Sequence, residues 1–201
     1  MNGIVDLSLR PQQPSLIFLT GFMASGKSTV GFALAEALHK GFFDLDLEIE
    51  NRLGKPIAQI FRDEGAAFFR EIESEILNEL SKLKDAVIAL GGGTLLEMEN
   101  LLVVQQSGIS ICLKSTPEEI WKRIEDADKR KLIAGPDTHG RMLSSTTQIH
   151  KRIEYLMLVR QSGYEQSDIM IDVTHKTVSQ IVQEILILLE PYHFIHQTQH
   201  D

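Results

Sequence analysis

The feature that most narrows what this chain can fold into is the octapeptide Gly21-Phe22-Met23-Ala24-Ser25-Gly26-Lys27-Ser28. Its two glycines and the Lys-Ser that closes it fit the pattern G-x-x-x-x-G-K-[ST]. An apolar, β-favouring run (residues 15–20) precedes it, and a helical pattern (27–39) follows. Glycine reaches backbone angles closed to other residues, so such a loop can curl into a nest of N–H donors. The positive end of the following helix points into the same nest. Gly21, Ala24, Ser25, Gly26 and Thr29 are therefore expected to surround the phosphates of ATP. Lys27 supplies a mobile charge to the β- and γ-phosphates, and the Ser28 hydroxyl is a candidate Mg²⁺ ligand.

Four further β-favouring runs, at 41–45, 86–90, 108–113 and 168–173, alternate with helical patterns at 57–83, 117–126, 147–163 and 177–189. The 57–83 pattern is expected to break into two helices near Gly65. Alternation of this kind predicts an α/β fold in three layers, a parallel sheet covered by helices on both faces. Ligands of such sheets bind beyond the carboxyl ends of the strands. Residues 15–190 form the expected domain, between an N-terminal extension (1–14) and a polar tail (191–201) holding three histidines. The Gly-, Pro-, Ser- and Thr-containing stretch 134–148 lacks an apolar period and reads as a functional or mobile loop.

The residues just after each strand carry the remaining candidates. The second strand is expected to end in Phe43-Asp44-Leu45-Asp46, with both carboxylates on one face. One would help hold Mg²⁺ and the other would accept the hydrogen of an attacking hydroxyl. The competing reading makes Asp46 the N-cap of a helix beginning near Leu47. Gly91-Gly92-Gly93 follows the third strand and allows a ligand to touch the backbone, or forms a plain tight turn. Arg70 and Glu73 lie three apart at a helix start, so Glu73 can orient the guanidinium, although exposed pairs of this kind often do nothing. Arg123 and Arg130 flank the basic cluster Lys122 to Lys131; they read as a closing loop over ATP or as a solvated charge run.

Taken in order, these motifs resemble the shikimate kinases. The resemblance spans residues 16–189 and rests on the P-loop, D-x-D, G-x-x-x-F-R-x-x-E, G-G-G, a basic lid and R-x-x-x-Y. It implies a five-stranded parallel sheet of the P-loop kinase type, a mobile lid at about 128–150, and transfer of the γ-phosphoryl group of ATP to the 3-hydroxyl of shikimate. On that likeness Ser28 and Asp44 support Mg²⁺, and Asp46 works at the reacting hydroxyl. Arg70, Glu73, the Gly91–Gly93 backbone and Arg160 hold shikimate. Arg130 is the lid arginine, and Arg123 and Lys176 flank adenine. The chain departs from the usual pattern at Ala24, Ala66, the lid sequence Arg130-Lys131-Leu132-Ile133 and Arg160-Gln161-Ser162-Gly163-Tyr164. Arg152 is a second candidate for the substrate carboxylate. The helical period favours Arg160, because it shares a face with Ile149, Ile153 and Leu156.

Composition limits the partners. Twenty Lys and Arg against 28 Asp and Glu leave a net charge of −8, which argues against a broad nucleic-acid or membrane surface. No apolar run approaches a membrane span, and residues 1–14 resemble neither a signal nor a transit peptide. The single cysteine, Cys112, is expected to be packing in a cytoplasmic, monomeric enzyme. Two other readings stay open: a kinase for another hydroxy acid such as gluconate, and a non-catalytic nucleotide-binding module. Retention of Lys27, Ser28, Asp44 and Asp46 weighs against the second.

Overall fold

The structure, a computed structural model, describes residues 15–124 and 146–193. In chain order it runs β1 (Leu16–Thr20), α1 (Lys27–Leu38), β2 (Gly41–Asp44), α2 (Leu45–Leu53), α3 (Ile57–Asp63), α4 (Gly65–Leu80) and β3 (Ala86–Ala89). A 3₁₀ turn (Thr94–Leu96) then leads to α5 (Met98–Ser107), β4 (Gly108–Lys114), α6 (Pro117–Arg123), α7 (Thr146–Tyr164), β5 (Ile169–Asp172) and α8 (Val178–His193). The five strands form one parallel sheet in the order β2-β3-β1-β4-β5.

Strand periodicity explains the layers. Ile17, Leu19, Val87, Ile109, Ile111 and Ile171 turn to one face and pack with Val30 and Leu34 of α1 and Ile181 and Ile185 of α8. Leu16, Phe18, Ala86 and Ile88 turn to the other and pack with Leu45, Ile49, Ile60, Leu77 and Val104 of α2 to α5. Strands buried on both faces read as near-continuous apolar runs, which is why they stood out in the sequence. A third cluster, Phe22, Ile120, Ile124, Ile149 and Ile153, packs α6 and α7 onto the phosphate loop.

Several expected boundaries move. The second strand stops at Asp44, and α2 begins at the next residue. Asp44 is the N-cap: its Oδ1 accepts from the N–H groups of Asp46 (3.1 Å) and Leu47 (3.4 Å), orphan donors of the first helical turn. Asp46 is thus neither a strand residue nor the cap, and it enters the site from the first turn of α2. The 57–83 pattern is two helices joined at Gly65, whose φ of 87° suits glycine, and the second ends at Leu80. Residues 146–150 of the expected lid are the first turn of α7, and Pro191 to His193 of the expected tail close α8. The N-terminal extension, residues 125–145 with Arg130 and most of the lid, and residues 194–201 lie outside the described residues. Among the described residues no helix is long and apolar enough to cross a membrane.

Candidate active site

The phosphate loop is shaped by three positive-φ residues, Gly21 (136°), Ala24 (59°) and Gly26 (102°). A side chain at Gly21 would meet the Leu113 carbonyl at 2.5 Å, so the loop can start flush against β4 only with glycine there. Ala24 holds a left-handed conformation that costs an L-residue about 1 kcal/mol. Ala24→Gly should therefore raise the unfolding free energy measured in urea by up to about 1 kcal/mol, less the entropy that glycine adds to the unfolded chain. A loss of the full entropic cost, about 1 kcal/mol, would show that no strain resides there.

Lys27 opens α1, and its Nζ donates to the carbonyls of Gly21 (3.0 Å) and Phe22 (3.1 Å). Burial pushes its pKa down, against the pull of Asp46 and Asp44. Ser28 donates to Asp44 Oδ2 at 2.5 Å, tying the start of α1 to the cap of α2. Asp46 lies between Lys27 and the glycine triplet. Burial raises its pKa to about 6, Lys27 opposes the rise, and Asp44 and Glu73 add to it. A carboxylate poised near neutrality can take a proton from a hydroxyl and release it again.

Gly91–Gly93 is the point at which distant elements meet. A Cβ on Gly91 would lie 2.8 Å from Glu73 Oε1 and 3.0 Å from Asp46 Oδ1. On Gly92 it would lie 2.9 Å from Arg160 Nη1, and on Gly93 2.6 Å from Arg70 Nη2. The bare backbone makes room for two carboxylates and two guanidiniums, a use of glycine beyond tight turning. Glu73 is fully buried and holds Arg70 in an ion pair, while its second oxygen accepts from the Thr94 hydroxyl at 2.6 Å. Burial of one partner with its lone pairs filled sets this pair apart from an ordinary surface pair.

Arg160 comes from α7. Its guanidinium stacks 5.4 Å over the Phe22 ring, so an apolar stripe carries a cation to the cleft. Arg152, the rival candidate, lies over Tyr155 of its own helix at 5.5 Å. Arg123, at the end of α6, donates to the carbonyls of Ser25 (3.4 Å) and Val173 (3.3 Å), spanning the phosphate loop and the end of β5. Lys176 follows β5 and pairs with Glu184 at 2.6 Å. Thr29 is exposed on the first turn of α1. Arg130 lies outside the described residues. Three residues that the sequence assigned no role also belong here: Phe22 under Arg160, Thr94 on Glu73, and Tyr164, whose hydroxyl donates to the Gly92 carbonyl at 2.6 Å.

For a divalent cation the Ser28 hydroxyl and the Asp44 carboxylate offer two hard oxygen donors side by side. Among the described residues no cluster of three or more His, Cys, Asp and Glu could hold a metal by itself. A pair of oxygens beside a phosphate nest fits Mg²⁺, which keeps its waters and shares its shell with nucleotide phosphates.

Comparison with known proteins agrees with this geometry. The shikimate kinase family matches residues 23–190. The shikimate kinase of Chlorobium limicola is 39% identical over 171 residues, 85% of this chain and 84% of that protein. That of Caldanaerobacter subterraneus is 36% identical over 170 residues, covering 85% and 93%. Among solved structures, shikimate kinase from Acinetobacter baumannii in complex with shikimate superposes with a TM-score of 0.77 at 32% identity, covering 87% of this chain and 92% of that one. The Aquifex aeolicus shikimate kinase gives 0.73 at 33% identity, covering 89% and 98%. With the family model spanning residues 23–190 and relatives up to 39% identical over 85% or more of its length, the chain belongs to the shikimate kinase family.

Proposed function

We propose that the chain moves the γ-phosphoryl group of ATP to the 3-hydroxyl of shikimate, with each site residue working as follows. The loop Gly21 to Thr29 cradles the phosphates, and Lys27 leaves its two carbonyl partners for the β- and γ-phosphate oxygens. Ser28 and Asp44 hold Mg²⁺, which neutralises phosphate charge when bound. Asp46 accepts the hydrogen of the attacking hydroxyl, and Arg70, Arg160 and the Gly91–Gly93 backbone fix the acceptor. Arg70 is kept in place by Glu73. Arg123 and Lys176 border the adenine, and Arg130 closes from the lid. Phosphoryl transfer leaves little covalent chemistry to the protein, so positioning and charge carry the catalysis.

The observation that carries this reading is the meeting of Asp46, Glu73, Arg70 and Arg160 on one bare glycine turn. Two guanidiniums beside two carboxylates suit an acceptor with a carboxylate at one end and hydroxyls at the other. Every assigned residue comes from one copy of the chain, so a monomer suffices. Cys112 is buried and its thiol pushed up to about 11, inert packing that suits a cytoplasmic protein.

The test is ADP release by the purified protein with ATP, Mg²⁺ and a panel containing shikimate, gluconate and nucleosides. Release specific to shikimate is expected; release with gluconate alone would overturn the assignment. In the same assay Arg160→Ala should raise the shikimate KM about 10- to 100-fold, the range for losing a charged hydrogen-bond partner. The ATP KM should stay within about twofold, and Arg152→Ala should be nearly silent. The opposite pattern would move the carboxylate contact to Arg152.

A further inference from the structure

Arg160 and Tyr164 are four residues apart on α7 and therefore share one helix face. Both close on Gly92, and they also hold each other. Arg160 Nη1 lies 2.9 Å from where a Gly92 Cβ would stand, the Tyr164 hydroxyl donates to the Gly92 carbonyl, and its oxygen accepts from the Arg160 side chain. The helix comes close enough for this because Gly163 leaves room: a Cβ there would meet the Leu95 carbonyl at 3.0 Å. The tie is long in sequence, joining residues 72 apart. Burial pushes the Tyr164 phenol up to about 12, so it stays protonated and donating through the working pH range.

A peptide group is planar and trans, so its N–H points opposite its carbonyl. Fixing the Gly92 carbonyl on Tyr164 therefore turns the Gly93 N–H away from Tyr164. Without that anchor a glycine triplet has more rotational freedom than any other tripeptide.

We propose that Tyr164 is a positioning residue for the acceptor: its hydroxyl holds the Gly92–Gly93 peptide and the Arg160 guanidinium together, and with them the register of Arg160 with the shikimate carboxylate. This rests on the reading of Arg160 given above. The hydroxyl of Tyr164 meets Gly92 and Arg160, both on the acceptor side of the proposed site, so its contribution is to acceptor binding. Its ring walls a cavity of about 360 Å³ with Phe22, Cys112, Met157 and Met170. Tyr164→Phe keeps that wall and deletes only the hydroxyl, with its bonds to the Gly92 carbonyl and to Arg160.

Steady-state kinetics of the wild type, Tyr164→Phe and Arg160→Ala, with shikimate and with its methyl ester, test the proposal. Tyr164→Phe should raise the shikimate KM about five- to tenfold, the usual size of one hydrogen bond, with kcat and the ATP KM within about twofold. With the ester, whose carboxylate charge is gone, Tyr164→Phe should cost less than about twofold. An equal penalty on acid and ester, or a fall in kcat with an unchanged KM, would overturn the positioning role. Discrimination between acid and ester that Arg160→Ala abolishes and Tyr164→Phe leaves untouched would also overturn it, while sparing the reading of Arg160. A wild type that treats acid and ester alike would sink both.

Discussion

Lys27→Ala should lower turnover about 10³-fold or more while leaving the protein folded. Removing one preorganised donor from a developing charge typically costs about 3–4 kcal/mol in the transition state. Lys27 is a stronger donor than most, a full charge on a flexible stem rooted beside a nest of backbone N–H groups. The free protein holds it between the carbonyls of Gly21 and Phe22 and beside Asp44 and Asp46. Its stability effect should have the other sign. Burial lowers the Lys27 pKa, so the native state binds its proton less readily than the unfolded chain does. The charged ammonium thus costs stability at neutral pH, and that cost disappears as pH rises toward the ordinary lysine range. The variant should melt no lower than the wild type in a thermal scan at pH 7, against a near-complete loss of ADP release. A large drop in melting temperature together with activity would make Lys27 a structural residue.

Asp46→Asn should cut turnover about 10²- to 10⁴-fold, the span attributed to general-base assistance, with ATP binding largely intact. The pH dependence gives the sharper evidence. With the Asp46 pKa raised to about 6, the base is available only above that value. The wild-type kcat/KM for shikimate should therefore rise with pH through about 6 and flatten above it, and the variant should lose this limb. Stability runs the opposite way. A carboxyl whose folded pKa lies above the ordinary 3.8 favours the native state below that value and loses this as pH rises through about 6. The loss is at most about 3 kcal/mol, because each tenfold change in proton affinity is worth about 1.4 kcal/mol. A variant that keeps the acid limb would assign it to another group and return Asp46 to a supporting role.

The phosphate loop was legible in the sequence because its function needs consecutive residues: the nest, the lysine and the hydroxyl all lie within Gly21 to Ser28. The three central strands were legible because burial on both faces makes each a short apolar run, and the half-buried edge strands β2 and β5 because their β-favouring residues alternate with the helical patterns. The roles of Asp44 and Asp46 were harder to separate. Asp-Leu-Asp offers two possible caps, and nothing local marks the switch from strand to helix at Leu45. Only the structure shows Asp44 spending one oxygen on the helix and the other on Ser28, which leaves Asp46 facing the cleft. Helix α5 escaped notice because it is short, and its apolar residues form one unbroken run, Leu101 to Val104, with no helical period. Thr94 was silent for a different reason, its partner lying 21 residues away, beyond any local pattern; Tyr164 was legible as the end of R-x-x-x-Y, but its partner 72 residues away was not. Arg160 was preferred to Arg152 on its spacing to Tyr164 and to the last strand, with the helical period as support. In the structure Ile149 and Ile153 of the same helix are buried with Phe22, and Arg160 stacks on that ring.

The most direct measurement of the central claim is ³¹P NMR of the product made from shikimate, ATP and Mg²⁺. A new phosphomonoester resonance coupled to the proton on C3 of the ring should form in step with ADP. Inorganic phosphate in place of an ester, or an ester coupled to a different ring proton, would contradict the way Asp46, Arg160 and the glycine triplet are proposed to orient the acceptor.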